Sequence, residues 1–321
     1  MRVLITGAGG FIGKKLSAAL ASNGCDVKAM LRKKSREEFE VASDSILITD
    51  IATFDGWPDA LRDVEVIVHL ASLVSINNDR SSKALNDYRR VNVEGTRRLA
   101  EAAKRAGVRR IVYISTIKVN GEFTSGEPFT ELNIPSPGDA YSISKWEAEQ
   151  VLNDLSGTME IIIIRPPMVY GPGAKGNLLR LMKSIEKGFP LPFKNIRNKR
   201  SLISLDNLVD AIIASVFKAE SAGNTFLVSD GDDISIPDLI GRIAASMGKN
   251  PRLVNYPEKT MAVISNLMPS IRPLLQRLTG SLVIDSGSFR NKINWVPRET
   301  VDDGIKSMVS SYLSGKSRNV D

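Results

Sequence analysis

The sequence predicts an α/β protein: a doubly wound parallel sheet carrying a smaller C-terminal lobe. Three observations predict it. Short β-branched runs alternate with helical patterns over the first half of the chain, a glycine-rich turn follows the first run, and beyond Gly171 prolines punctuate shorter elements. Strands alternating with helices pair in parallel, because each crossover helix returns the chain to the same edge of the sheet.

The first run, Arg2 to Ile5, leads into Thr6-Gly7-Ala8-Gly9-Gly10-Phe11-Ile12-Gly13 and an amphipathic helix over Phe11 to Ser22. Gly7 permits a tight turn, Gly10 lets backbone N–H groups approach a pyrophosphate, and Gly13 lets the helix lie close to the strand. The helix dipole adds a positive end aimed at the same anion. A strand before the glycines and a helix after them distinguish a Rossmann-type dinucleotide cradle from an ordinary tight turn. Further strands are predicted near Val27 to Leu31, Ser45 to Ile48, Val66 to His69, Arg110 to Ile114 and Ile161 to Arg165. After Pro172-Gly173, prolines at 190, 192, 237, 251, 257, 269 and 273 mark the smaller lobe. A helix over Asn207 to Ala219 and a strand over Thr225 to Ser229 return the chain to the sheet. The predicted division is 1–170 plus about 203–232 for dinucleotide binding, and 171–202 plus 233–321 for substrate.

Composition suits a globular enzyme, with 42% hydrophobic and 25% charged residues among 321. A single cysteine, Cys25, excludes an internal disulfide framework, and one Cys with one His makes a metal site built on them improbable. Glycines and Lys14-Lys15 interrupt any leader-like apolar start, and Ile161 to Ile164 is too short to span a bilayer, so a cytoplasmic protein is expected. The net charge of +7 raises the question of nucleic acid. Arg89-Arg90, Arg97-Arg98, Lys104-Arg105 and Arg109-Arg110 recur along a helical stretch without interleaved aromatics, which reads as a solvated face. The clusters Arg32-Lys33-Lys34-Ser35-Arg36 and Arg197-Asn198-Lys199-Arg200 suit the phosphates of small nucleotides.

Tyr141 and Lys145 stand four apart in a predicted helix over Ala140 to Leu155, so they share a face. An ammonium near a phenol lowers a pKa that otherwise lies near ~10, giving an acid or base usable near neutrality. Upstream, the strand over Arg110 to Ile114 ends in Ser115-Thr116, two hydroxyls at the rim where open α/β sheets bind ligands.

Together with Asp50-Ile51, His69-Leu70-Ala71-Ser72, Asn92 in Val-Asn-Val-Glu-Gly-Thr, Gly121, and the run Arg165-Pro166-Pro167-Met168-Val169-Tyr170-Gly171-Pro172, these motifs appear in the order of the extended short-chain dehydrogenase/reductases. The chain resembles that NAD-dependent epimerase/dehydratase family over almost its whole length. The resemblance implies that Thr116 is the catalytic hydroxyl, Tyr141 the acid/base, and Lys145 the residue that lowers the tyrosine's pKa and binds the nicotinamide ribose. It places Gly7, Gly10, Phe11, Ile12, Gly13, Arg32, Asp50, Ile51, Leu70, Ala71, Ser72, Asn92 and Pro167 with Tyr141 and Lys145 around the cofactor. Ser75, Met168, Asn177, Leu178 and Arg200 join Thr116 around a nucleotide-sugar substrate. Relatives often carry Asn where Met168 sits, and a second nucleotide-binding arginine falls on either Arg272 or Arg277. A homodimer through the segment Leu85 to Ala103 and the Tyr141 helix is also implied.

In NAD users an acidic residue closing the second strand holds the ribose 2′-hydroxyl, whereas arginine suits a 2′-phosphate. Here the strand ends Met30-Leu31-Arg32-Lys33-Lys34, which leans toward NADP over NAD. Dehydratases of the family carry an Asp-Glu pair after the catalytic Thr, and this chain has Ile117-Lys118. Two reactions at a sugar C4 remain: reduction of a 4-keto-6-deoxy sugar and 4-epimerisation with retained NAD. Within the family the chain looks most like UDP-N-acetylquinovosamine dehydrogenases and epimerase-like enzymes of surface-polysaccharide synthesis. A non-catalytic dinucleotide sensor would have no use for the intact Thr116, Tyr141 and Lys145.

Overall fold

The computed structural model describes residues 1–32, 44–74, 82–255 and 279–317. Seven parallel strands form the central sheet in the order β3-β2-β1-β4-β5-β6-β9. They are β1 (Arg2–Thr6), β2 (Asp26–Arg32), β3 (Asp44–Ile48), β4 (Val66–His69), β5 (Arg110–Ile114), β6 (Glu160–Arg165) and β9 (Thr225–Leu227). Two short strands, β7 (Met168–Tyr170) and β8 (Leu202–Ser204), pair parallel in a sheet of their own. The predicted strands of the main sheet are all present, each within two residues of its expected ends.

The sheet is buried on both faces, so its strands are apolar at successive positions and sort by period two. Val3, Ile5, Val66, Val68, Val112, Ile162 and Ile164 face one core, while Leu4, Ile67, Ile111, Tyr113, Ile161 and Ile163 face the other. Helix α1 (Phe11–Ser22) covers the first face together with α7 (Leu205–Phe217) and α9 (Gly287–Ile293). Helices α2 (Trp57–Ala60), α4 (Gly95–Arg105) and α5 (Ala140–Asn153) cover the second. A third core joins β7 and β8 to α6 (Gly176–Glu186), α8 (Ile236–Ser246) and α10 (Val301–Ser317), around Met182, Ile240, Ile243, Ile305 and Met308.

The stretch expected to be one helix from Leu85 to Ala103 is three pieces. Helix α3 (Ser82–Tyr88) passes through a π-helical turn, Arg89–Glu94, before α4 resumes the α geometry. Its arginines are also not simply solvated. Arg90 pairs with Asp50, Arg98 with Asp55, and Arg89 with Glu147 on α5. Arg110 is 1% exposed. Its guanidinium pairs with Glu160 at 2.6 Å and donates to the carbonyls of Ser215, Val216 and Lys218 at the end of α7. A fork of five donors can satisfy several helix-terminal carbonyls at once, which makes burial tolerable.

Candidate active site

The glycine turn lies at the carboxyl edge of the sheet, between β1 and the start of α1. Gly7 adopts φ +72°, and a Cβ there would stand 2.8 Å from the backbone nitrogen of Ala71, at the end of β4. A Cβ on Gly13 would come within 2.4 Å of the Gly7 carbonyl oxygen and 2.6 Å of that of Ala8. Gly10 caps α1 with extended backbone and no side-chain hydrogen bond, and the first turn of α1 holds no acid. This is a cradle in which backbone meets backbone, leaving helix N–H groups directed at an anion. It fits a dinucleotide pyrophosphate. Phe11 and Ile12 open the helix half-buried against the core, and Gly10 is exposed at its tip.

Around the cradle, Gly7 and Ala8 donate to the Met30 carbonyl at 3.1 and 3.3 Å, which places exposed Arg32, two residues on, beside the turn. Ala71 N–H donates to the Thr6 hydroxyl and Leu70 N–H to the Thr6 carbonyl, each at 3.2 Å, drawing the loop after β4 against the turn. Asp50 caps its own short helix by accepting from Ala52 N–H at 3.0 Å and pairs with Arg90. Ile51 is buried beneath it.

Asn92 sits in the π-helical turn, 1% exposed, with its carboxamide fully engaged. Its Oδ1 accepts from the Ser72 hydroxyl at 3.1 Å and Leu73 N–H at 2.7 Å, while its Nδ2 donates to the Leu73 carbonyl and to Ser144 Oγ at 2.9 Å. The π turn, a feature enriched at functional sites, thus ties the loop after β4 to α5. His69 makes a second tie. Buried between Thr6 Oγ1 at 2.6 Å and Thr96 Oγ1 at 2.9 Å, its ring is held neutral by burial and the nearby Lys145, with a pKa of about 3.

Thr116 follows β5 half-buried, its Oγ1 accepting from Lys118 N–H at 3.4 Å. Ser115 beside it is buried and donates to Glu149. Of the two rim hydroxyls, Thr116 therefore remains at the edge. Helix α5 opens with a capping box, Asp139 accepting from Ser142 N–H at 2.8 Å, so Tyr141 occupies the first turn beside the loop after β4. Its phenol is raised above the ordinary tyrosine value by burial, then by Asp139 and Tyr88, against a hydrogen bond with Ser72 that lowers it. This corrects the expectation that Lys145 depresses it. The Lys145 ammonium turns toward the sheet instead, donating to the Ile114 carbonyl at 2.6 Å and lying 3.9 Å above the Tyr113 ring. Burial lowers Lys145 to a pKa of about 7, with Glu149 opposing the fall.

Toward the third core, buried Pro167 separates β6 from β7, and half-buried Met168 pairs with Leu202. Arg200, two residues before Leu202, is half-buried and donates to the Gly280 carbonyl at 3.0 Å. Asn177 is exposed in the first turn of α6, which Lys175 caps, so Asn177 is not itself the cap. Leu178 is 6% exposed within the third core, which commits its side chain to packing. Ser75, Lys33, Lys34, Arg272 and Arg277 lie outside the described residues. Sequence reasoning missed Glu149, Arg165 and Tyr113, which lie behind Thr116 and Lys145. The four-residue recurrence Tyr141, Lys145, Glu149 along one helix face was the available signal.

Comparison with known proteins accords with this geometry. The profile described as the NAD dependent epimerase/dehydratase family matches residues 3–229. A Vibrio cholerae protein named UDP-glucose 4-epimerase is 36% identical over 98% of this chain and 97% of its own length. An Escherichia coli O157:H7 protein named N-acetyl-alpha-D-glucosaminyl-diphospho-ditrans,octacis-undecaprenol 4-epimerase is 27% identical over 79% of this chain and 75% of its own. Among solved structures, the UDP-glucuronic acid 4-epimerase of Bacillus cereus in complex with NAD superposes with a TM-score of 0.79 at 21% identity, covering 98% of this chain and 99% of that one.

Proposed function

We propose that this chain, which belongs to the NAD dependent epimerase/dehydratase family, is an NAD(P)-dependent oxidoreductase that reduces C4 of a UDP-4-keto-6-deoxy-N-acetylhexosamine for surface-polysaccharide synthesis. The observation that carries the direction is the end of β2, where the chain reads Arg32-Lys33-Lys34 in place of an acid, which suits an NADPH that exchanges rather than a retained NAD. A ketone becoming an alcohol must take up a proton at its oxygen. A phenol held in its acid form beside the Thr116 rim can give it.

A bound nicotinamide dinucleotide supplies the exchangeable hydride. The chain's own residues do the rest. The glycine turn and the N-terminus of α1 hold the pyrophosphate, Thr116 Oγ1 hydrogen-bonds the C4 oxygen as charge develops on it, and Tyr141 protonates that oxygen. Lys145, on the same face of α5, is assigned to the nicotinamide ribose. Dehydration is disfavoured, because buried Ile117 and Lys118, paired with Asp139 at 2.9 Å, stand where the extra carboxylates would be needed.

The nucleotide sugar is assigned to the lobe expected at 171–202 plus 233–321, less α9 (Gly287–Ile293), which packs on the main sheet, with Met168 and Arg200 on its near side. Exposed Arg32, beside the glycine turn, is assigned to a 2′-phosphate, making NADPH the preferred reductant. Arg32→Ala is then expected to raise the NADPH dissociation constant and leave that of NADH unchanged. One charge-assisted hydrogen bond is worth ~1.5 to 3 kcal/mol, which is a change of roughly 10- to 100-fold. Titration of cofactor fluorescence checks this, and equal losses for both cofactors would refute the assignment.

A second reading, 4-epimerisation, is favoured by the 36% identity with the Vibrio cholerae protein. The two separate on cofactor retention, since an epimerase reoxidises what it reduces and holds NAD throughout. Half-exposed Ile143, Trp146 and Val93 on α5 and the π turn support a homodimer through these helices. Sedimentation at micromolar concentration is expected to give twice the 35.1 kDa chain mass. A cytoplasmic location fits a nucleotide-sugar substrate, and among the described residues no helix is long and apolar enough to cross a membrane.

A further inference from the structure

Glu149 has no exposed surface, yet none of the chemistry above uses it. Its carboxylate accepts from Arg165 Nε at 3.0 Å and from Nη2, and takes the Ser115 hydroxyl as a third donor. Arg165 also donates to Asn120 Oδ1 at 2.8 Å, and Asn120 donates to the Thr130 carbonyl at 2.9 Å. A buried ion pair of this kind is a poor source of net stability, because desolvating two charges offsets most of their attraction. Its placement suggests another use. Tyr141, Lys145 and Glu149 recur every fourth residue along one face of α5. The carbonyl that holds Lys145 belongs to Ile114, next to Ser115, whose hydroxyl holds Glu149.

The geometry points to Glu149 as a positioning residue that keeps Lys145 in its charged form beside Tyr141. Among the described residues, the other groups facing this helix do not supply a compensating charge. Tyr113, under the ammonium, is pushed well above its ordinary value by burial and stays a neutral phenol. His69 on β4 is neutral through the physiological range. Tyr88 on α3 lies tilted against Tyr141 with ring centroids 6.0 Å apart. Asp139 is committed to Lys118 and the helix cap, and Glu147 to Arg89 on the outer side. Arg165, from β6, shares Glu149 and moderates its effect. Burial pulls Lys145 down to about 7, and Glu149 is the charge that resists.

The inference rests on Lys145 serving the reaction as proposed, so its test is read without turnover. The full-length protein is labelled with [13Cε]lysine and titrated by NMR, the Lys145 signal being identified by its loss in Lys145→Met. In Glu149→Gln the midpoint is expected to fall by about one unit or more, the size of shift that a neighbouring opposite charge produces. That variant leaves Arg165 buried without its partner and can fail to fold. Glu149→Gln combined with Arg165→Gln removes both charges together, and its midpoint is expected to fall by less than in the single variant but in the same direction. The charged form of Lys145 is lost as pH rises through its midpoint, so a lowered midpoint moves the alkaline limb of the turnover profile toward acid. A midpoint unchanged or raised in the double variant would overturn the proposal, whatever happens to activity. Loss of activity at every pH with the midpoint unmoved would likewise reduce Glu149 to a packing role.

Discussion

Tyr141→Phe is expected to lower turnover by about 10²- to 10⁴-fold, the usual contribution of a general acid or base, while fold and cofactor binding persist. The substitution removes one hydroxyl from a ring that packs tilted against Tyr88, so the packing around α5 stays in place. What disappears is the proton destined for the C4 oxygen. Thr116→Ala is expected to cost less, because it deletes one hydrogen bond to that oxygen and leaves the donor. Steady-state kinetics on both variants check the roles. Turnover of Tyr141→Phe within threefold of the unaltered protein would refute the assignment, and a larger loss for Thr116→Ala would mean that the two roles are reversed.

Gly13→Ala is expected to cripple cofactor binding by pushing the start of α1 away from β1. The added Cβ would meet the carbonyl oxygens of Gly7 and Ala8 at 2.4 and 2.6 Å, contacts made with backbone that cannot rotate aside. Overpacking of a closely fitted position costs about 1–3 kcal/mol, equivalent to roughly a 5- to 100-fold loss if it falls on the bound state. Because the same oxygens belong to the turn that cradles the pyrophosphate, NADPH and NADH should weaken together, unlike the selective loss expected at Arg32. Isothermal titration distinguishes the two patterns. Unchanged affinity for both cofactors would show that the turn does not hold the dinucleotide.

Most of the main sheet was legible in the sequence because its strands are doubly buried and β-branched, and their ends are marked by glycines or by hydroxyls such as Thr6, Ser115 and Thr116. The short pair β7 and β8 was not: each has three residues and, unlike the equally short β9, neither closes a helix-to-strand step of the main sheet. The π turn at Arg89–Glu94 was hidden for a different reason. Its apolar spacing is that of an α-helix, and only the buried Asn92, clasping Leu73 and Ser144, shows why one turn is wound more loosely. The site's chemistry-bearing side chains were visible as motifs, but their electrostatics depended on burial. Lys145 shares a helix face with Tyr141, as its spacing requires, yet its ammonium is turned to the Ile114 carbonyl and the Tyr113 ring. Spacing along a helix fixes which residues are neighbours. It does not fix which of several partners from the sheet below captures a flexible cation.

The proposed reaction is tested most directly by supplying the purified protein with a UDP-4-keto-6-deoxy-N-acetylhexosamine and NADPH while following the sugar by NMR and the cofactor by absorbance. The expected result is equimolar loss of keto sugar and reduced cofactor, with one C4 alcohol appearing and the oxidised cofactor released. Contradiction would be an untouched keto sugar alongside a protein that retains NAD through gel filtration and interconverts two UDP-sugars differing only at C4.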